Sequence, residues 1–306
     1  MGYLAYALLT RACARLPFSL QYWLARRFSS VAHRFAAKSR DGVRANLRVI
    51  HKGADEREVR QLARETFSSF ARYLCEFFGA AGWNQAFFDR QVRVEGRENL
   101  DAALAQGRGM LFVSGHYSNW ELGAFTVGRL GYPILIVAQI HSDPRVNGLF
   151  VKARAVHNVE VAPTAHGARA ALRALRDNRP VAILGDRPTG GPTVDVTLCG
   201  QTTSFPQGPW RLALDTKAPL LPTFMRRERD GSYTLLIGEP IEAPEAGTRD
   251  EKMSAMAQRF AVRLEDRLRE DPTQWAAFYP VWKQTEQTAS EVDGRCACPR
   301  PAEVRT

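Results

Sequence analysis

The sequence predicts an α/β fold in which helices cover a central sheet, preceded by a basic amphipathic helical segment. Three observations carry that prediction. From residue 92 onward, short apolar runs of strand length alternate with stretches of helical periodicity. The 306 residues are 45% hydrophobic and 24% charged, which excludes a disordered chain and is ample for one large core or two smaller ones. No run of 18 or more residues is free of charge, so a clean membrane-spanning helix is not visible.

The first unit spans residues 1–52. Large apolar groups fall at helical spacing over residues 1–36: Leu4, Leu8, Leu16, Leu20, Trp23, Leu24, Phe28, Val31 and Phe35. Arginines stand between them, and up to Lys52 the segment has ten cations against the single acid Asp41. Nine of the ten net positive charges of the chain therefore lie in its first sixth. Such a segment can lie in a lipid headgroup layer with its arginines on phosphate, or pack on the protein's own core with a solvated basic face. The membrane reading is the stronger, because the charge is so one-sided. Nucleic acid is a poor partner, since the cations alternate with Leu, Trp and Phe and no aromatic RNA-binding signature accompanies them.

A further helix is predicted over residues 55–81, with Leu62, Phe67, Phe70, Leu74 and Phe77 on its apolar side. The α/β domain, residues 53–283, then supplies five buried strands: 110–114 (MLFVS), 134–138 (ILIVA), 181–184 (VAIL), 220–225 (LLPTFM) and 233–237 (YTLLI). Helices are predicted between them at 120–130, 165–177 and 210–216, and a long charged one at 249–269. Residues 284–306 are polar and rich in Thr, Glu and Pro, the composition of a disordered tail.

Five scattered cysteines without a CxxC pair read as free thiols in a reducing compartment. Arg11 and Arg15 interrupt the apolar region that a cleavable signal would need. No His/Cys/Asp cluster has metal spacing, and no metal or resident cofactor is expected.

The most informative segment is Gly107 to Gly123, GRGMLFVSGHYSNWELG. A buried strand ends at Ser114-Gly115, His116 follows, and a helix opens just beyond. In open α/β sheets reactive groups gather at such carboxyl ends of strands. Glu121 follows five residues later, where a short turn can fold its carboxylate back toward the imidazole. A carboxylate on one ring nitrogen fixes the tautomer and leaves the other nitrogen as a general base near neutral pH. Each residue also has a structural reading. A histidine after a strand is often simply a satisfied core group, and Ser118-x-x-Glu121 is a capping box that would occupy the glutamate.

GHYSNWELG resembles the His-x4-acid motif of the lysophospholipid acyltransferase superfamily. Its glutamate form resembles the branch that holds the bacterial lipid A lauroyl and myristoyl transferases and the phosphatidylinositol mannoside acyltransferases. The resemblance runs in order over about residues 40 to 283. Arg44-Ala45-Asn46-Leu47 is similar to an early Arg/Asn-Leu segment, and Lys152-Ala153-Arg154 stands where the family places an arginine. Gly185-Asp186-Arg187-Pro188 is similar to its strand-end aspartate motif. Phe205-Pro206-Gln207-Gly208-Pro209 with Ala218-Pro219-Leu220-Leu221-Pro222 is similar to its glycine-then-strand block.

The resemblance implies a central mixed sheet flanked by helices, as in glycerol-3-phosphate acyltransferase. It implies transfer of an acyl chain from acyl carrier protein or coenzyme A to a lipid hydroxyl, at the cytoplasmic face of the inner membrane. His116 would be the base and Glu121 its orienter. No GxSxG nucleophile elbow is present, so no acyl-enzyme is implied. Arg154, Asp186 and Arg187 would serve the substrate. Arg154 could hold a phosphate or stabilise an oxyanion. Asp186 could bond a substrate hydroxyl, position Arg154, or cap the following turn. Two departures bear on the acceptor. Asp186-Arg187-Pro188-Thr189-Gly190 is nearer the mannoside-acyltransferase style than the lipid A run, and Trp275-Ala276-Ala277-Phe278-Tyr279 stands where lipid A enzymes carry a tryptophan and a His-Arg-Arg-Phe run. The resemblance thus extends to the chemistry and leaves the acceptor open. The competing reading is a non-catalytic basic module that binds lipid or nucleic acid.

Overall fold

The computed structural model describes residues 3–188 and 190–282; the expected polar tail lies outside the described residues. The architecture is α/β. A seven-stranded mixed sheet is flanked by helices, as the alternation of runs predicts. Its strands are β1 (Val92–Glu95), β2 (Met110–Ser114), β3 (Ile134–Ala138), β4 (Val159–Pro163), β5 (Pro180–Leu184), β8 (Leu220–Arg227) and β9 (Tyr233–Ile237). They lie in the order β1-β9-β8-β2-β5-β3-β4. All neighbours are parallel except β8 and β9, which form an antiparallel pair. Two further strands, β6 (Thr193–Leu198) and β7 (Gln201–Pro206), make a separate hairpin.

β2 is the middle of the sheet, and its first four residues are apolar and buried on both faces because helices cover both sides. Met110 and Phe112 pack with Phe77, Phe125 and Leu221 on one face. Leu111 and Val113 pack with Trp210, Phe260 and Leu264 on the other. Helices α4 (Glu56–Gly79), α6 (Arg97–Leu104) and α7 (Trp120–Arg129) serve the first face. The second is covered by α9 (Gly167–Arg176), α10 (Gly208–Thr216) and α11 (Arg249–Glu270). α5 (Gln85–Gln91) and α8 (Pro144–Ala155) complete the domain.

Before α4 the chain forms α1 (Tyr3–Cys13), α2 (Phe18–Phe35) and α3 (Ala37–Ile50). Pro17 separates the first two, standing at the N-cap of α2 where its missing N–H costs nothing. Gln21 then closes the joint by donating to the carbonyls of Cys13 and Leu16 at 2.8 and 2.7 Å. α2 is amphipathic with its faces reversed. The residues it buries are Gln21, Ala25 and Ser29, a small and polar stripe against α4. Leu20, Trp23, Phe28, Val31 and Phe35 stand exposed, Phe35 at 77% and Phe28 at 68%. Among the described residues no helix is long and apolar enough to cross a membrane.

Candidate active site

Register, more than loop geometry, assembles the site. β2 and β5 are parallel neighbours with Ser114 opposite Leu184. The amide of Gly185 extends the ladder by donating to the Ser114 carbonyl at 2.7 Å. Two residues beyond each strand end, His116 and Asp186 therefore face one another. The close packing needs glycine at both intervening positions. A Cβ on Gly185 would stand 2.8 Å from Val113, and one on Gly115 would press on Asp186 and Leu264 at 3.2 Å.

Asp186 is fully buried and accepts three hydrogen bonds. The His116 ring meets its Oδ1 through Nδ1 at 2.8 Å. The His116 backbone N–H and the Trp275 indole N–H both reach Oδ2 at 2.9 Å. Burial alone would raise the carboxyl, yet the His116 charge and these donors outweigh it and hold the group below the usual carboxylate range. An ionised carboxylate only accepts, so the neutral form of the imidazole carries its proton on Nδ1 and leaves the Nε2 lone pair free. The ring is about one-fifth exposed and stacks edge-on against Trp120. Trp120 in turn lies on Tyr73 with centroids 4.1 Å apart.

Glu121 is engaged elsewhere. Its carboxylate takes a two-pronged grip from Arg154 of α8, with Nε at 3.0 Å and Nη2 at 2.6 Å. Arg154 is nearly buried, and its guanidinium lies 5.5 Å from the centre of the Phe77 ring. Burial would weaken its hold on the proton, but Glu121 wins and the net shift is upward. The expected contact of Glu121 with the His116 imidazole is thus corrected, since the partner of the ring is Asp186. The capping box fails for a related reason. The N-cap of α7 is Asn119, not Ser118, and its Oδ1 accepts from Leu122 N–H at 2.9 Å. With the cap one residue later, Glu121 is freed to turn toward Arg154. Ser118 itself takes a left-handed φ of 53° and leaves its hydroxyl buried and unpartnered.

His116, Glu121, Arg154 and Arg187 all line one cavity of about 850 Å³ at the strand ends. It extends beneath α7 between small and branched side chains, among them Ala124, Val127, Ile134, Ile136 and Ala182. Arg187 is exposed at the cavity and sits 4.7 Å from the Tyr279 ring. Burial pushes the Tyr279 phenol up to about 12, Asp186 adds to the rise, and Arg187 opposes it. Trp275, which the sequence marked only as part of a departure from the lipid A run, contributes to the site through its bond to Asp186. Its segment straps the loop after β2, with Ala276 N–H on the His116 carbonyl at 2.8 Å and Ser118 N–H on the Gln274 carbonyl at 2.7 Å.

The sequence profile of the bacterial lipid A biosynthesis acyltransferases matches residues 1–284 of this chain. The chain belongs to that family. The acyltransferase is also similar to individual members. It is 29% identical over 226 residues to the phosphatidylinositol mannoside acyltransferase of Mycolicibacterium smegmatis, covering 72% of each chain. It is 29% identical over 224 residues to the Mycobacterium tuberculosis enzyme of the same name, covering 71% of this chain and 69% of that one. To the lipid A biosynthesis lauroyltransferase of Escherichia coli it is 28% identical over 234 residues, 74% of each chain. Within the acyltransferase, the cavity at the strand ends is the enclosure that joins an imidazole to an apolar compartment.

Proposed function

We propose that the protein moves a fatty acyl chain from a thioester of acyl carrier protein or coenzyme A to a hydroxyl of a glycolipid, with His116 as general base. The observation that carries this reading is the His116–Asp186 pair at an apolar cavity, in a chain of this family. The cavity volume lies within the roughly 300–1,000 Å³ of small-molecule pockets. The similar proteins are named for phosphatidylinositol mannoside and lipid A, both glycolipids.

In the proposed reaction the acyl chain lies among Ala124, Val127 and Ile136, with the thioester carbonyl near His116. Nε2 takes the proton of the acceptor hydroxyl as its oxygen attacks the carbonyl carbon. The tetrahedral intermediate collapses with cleavage of the C–S bond, and the leaving sulfur receives the proton back from the imidazolium. Asp186 stabilises that imidazolium without taking its proton. The Glu121–Arg154 pair shapes the cavity wall, a positioning duty in place of the orienter and phosphate-holding duties expected of them. Arg187, exposed at the rim, suits the phosphate that both thioester carriers bear.

The exposed apolar face of α2, interleaved with Arg26, Arg27 and Arg34, supports peripheral docking on the cytoplasmic face of the inner membrane. To test the reading, purified protein is given acyl carrier protein and coenzyme A thioesters with membrane lipid extract, and products are followed by mass spectrometry. His116→Ala is expected to lower kcat by roughly 10²–10⁴-fold while the protein stays folded. Undiminished transfer by the folded variant overturns the assignment.

A further inference from the structure

Glu76 is a buried acid outside the site just described, and its contacts join three distant parts of the chain. It projects from α4 and is 1% exposed. Its Oε1 accepts from Tyr22 of α2 at 2.7 Å and from the Tyr233 hydroxyl of β9. Its Oε2 accepts from the Asn119 amide at 2.8 Å. All three of these donors are neutral, and the Arg72 guanidinium stands back from the carboxylate over the Tyr22 ring, 5.2 Å from its centre. Burying a carboxyl side chain without a directly bonded cation is costly, and an apolar side chain would fill the position more simply.

The geometry of Asn119 shows what the acid controls. One amide supplies both contacts, Oδ1 capping α7 and Nδ2 donating to Glu76. In this arrangement both Glu76 oxygens accept, which fixes which end of the amide faces the helix. Residue 119 lies between His116 and Glu121, directly after Ser118 with its left-handed backbone. That conformation is unfavourable for a non-glycine residue and persists only where neighbours impose it. On the other side, Tyr22 adjoins Trp23, whose indole is exposed on the apolar face of α2.

We propose that Glu76 is a positioning residue that links docking of α2 on a lipid surface to the order of the loop bearing His116, the contacts from Tyr22 and to Asn119 being its two arms. This inference rests on the membrane-docked reading above. A shift of α2 as its apolar face enters lipid moves the Tyr22 hydroxyl, and the shared carboxyl passes that movement to Asn119. The loop then holds its productive geometry at the surface where acceptor lipid is found and relaxes away from it.

The test uses the full chain, Tyr22→Phe and Glu76→Gln, with phosphatidylglycerol–phosphatidylcholine vesicles compared with detergent micelles. Tyr22→Phe removes one hydroxyl and keeps the ring. Gln keeps one acceptor oxygen and adds two donors, so it cannot receive all three contacts. For the wild type, vesicles are expected to raise kcat about fivefold or more over micelles, with KM for the acyl thioester little changed. Both variants are expected to bind vesicles as the wild type does in sedimentation, yet to lose most of that rise. Amide hydrogen exchange over residues 115–119 is the second readout, which needs no turnover. Vesicles are expected to slow it in the wild type and not in Tyr22→Phe. A Tyr22→Phe protein whose kcat and exchange respond to vesicles as in the wild type overturns the proposal, as does wild-type exchange that vesicles leave unaltered. Absence of acyl transfer by the wild type in every lipid overturns the proposed activity instead, and the exchange comparison still decides the coupling.

Discussion

Asp186 stands in an environment far from that of an ordinary surface acid. Three donors converge on its two oxygens, and its neutral form would leave them without an adequate acceptor. Because the folded state holds this carboxyl below its ordinary value of 3.8, the group contributes stability that is fully present above that value. The contribution is lost as the pH falls through the lowered one. Asp186→Asn is therefore expected to be less stable than the wild type at neutral pH, with the gap closing below about pH 4. Its kcat is expected to fall by roughly 10²–10⁴-fold, because an amide can turn its N–H₂ toward Nδ1 and favour the wrong tautomer. Denaturant titrations at several pH values check the first outcome and steady-state kinetics the second. The sequence exposed His116 because a histidine directly after an apolar run is conspicuous. It did not expose the partner, since 70 residues separate the two and only the strand order makes them neighbours. The nearby Glu121 was the more visible carboxylate and proved to serve Arg154.

At the scale of elements, the five strands predicted from apolar runs are those that fill the interior of the sheet and its antiparallel pair. Four were missed: β1 and β4, the edges of the sheet, and the two strands of the separate hairpin, β6 and β7. An edge strand has fewer apolar positions to declare itself, and Arg93, Glu95 and Glu160 all stand exposed on β1 and β4. The N-terminal pattern was legible as amphipathic, but periodicity cannot tell which face is buried. The packing decides that, by sealing Gln21, Ala25 and Ser29 against α4 and leaving the aromatic face free. Trp23→Glu with Phe28→Glu is accordingly expected to weaken binding to anionic vesicles by at least about tenfold, since each large apolar side chain is worth about 1.5–3 kcal/mol when fully buried. Unfolding free energy in solution is expected to change by less than about 0.5 kcal/mol, because both residues face solvent there. Vesicle sedimentation and denaturant unfolding separate the two effects.

Across the whole molecule, the cavity is a product of the sheet and its covering helices together. Phe112 and Ile136 come from strands, Ala124 and Val127 from α7, and Ala171 from α9. In the proposed reaction its reach under α7 limits the bound chain, and the accepted length then follows from side-chain volume there. Ala124→Leu is expected to shift the preference toward shorter acyl donors. Each methylene that no longer fits forfeits about 0.8 kcal/mol, or roughly fourfold in relative kcat/KM. Competition among coenzyme A thioesters of graded length, read by mass spectrometry, checks this.

The rung that pairs Ser114 with Leu184 has a consequence for how such an enzyme can diversify. His116 and Asp186 keep their separation because each stands two positions past a shared rung, whatever the intervening chain does. Residues 139–158, with α8 and its flanking turns, can lengthen, shorten or change sequence without altering that separation, while one residue inserted between Ser114 and His116 would part the pair in an otherwise intact fold. The proposed chemistry is thus counted along two neighbouring strands and insulated from the segments that shape the pocket. The walls of the cavity can be remodelled with no need to rebuild the pair.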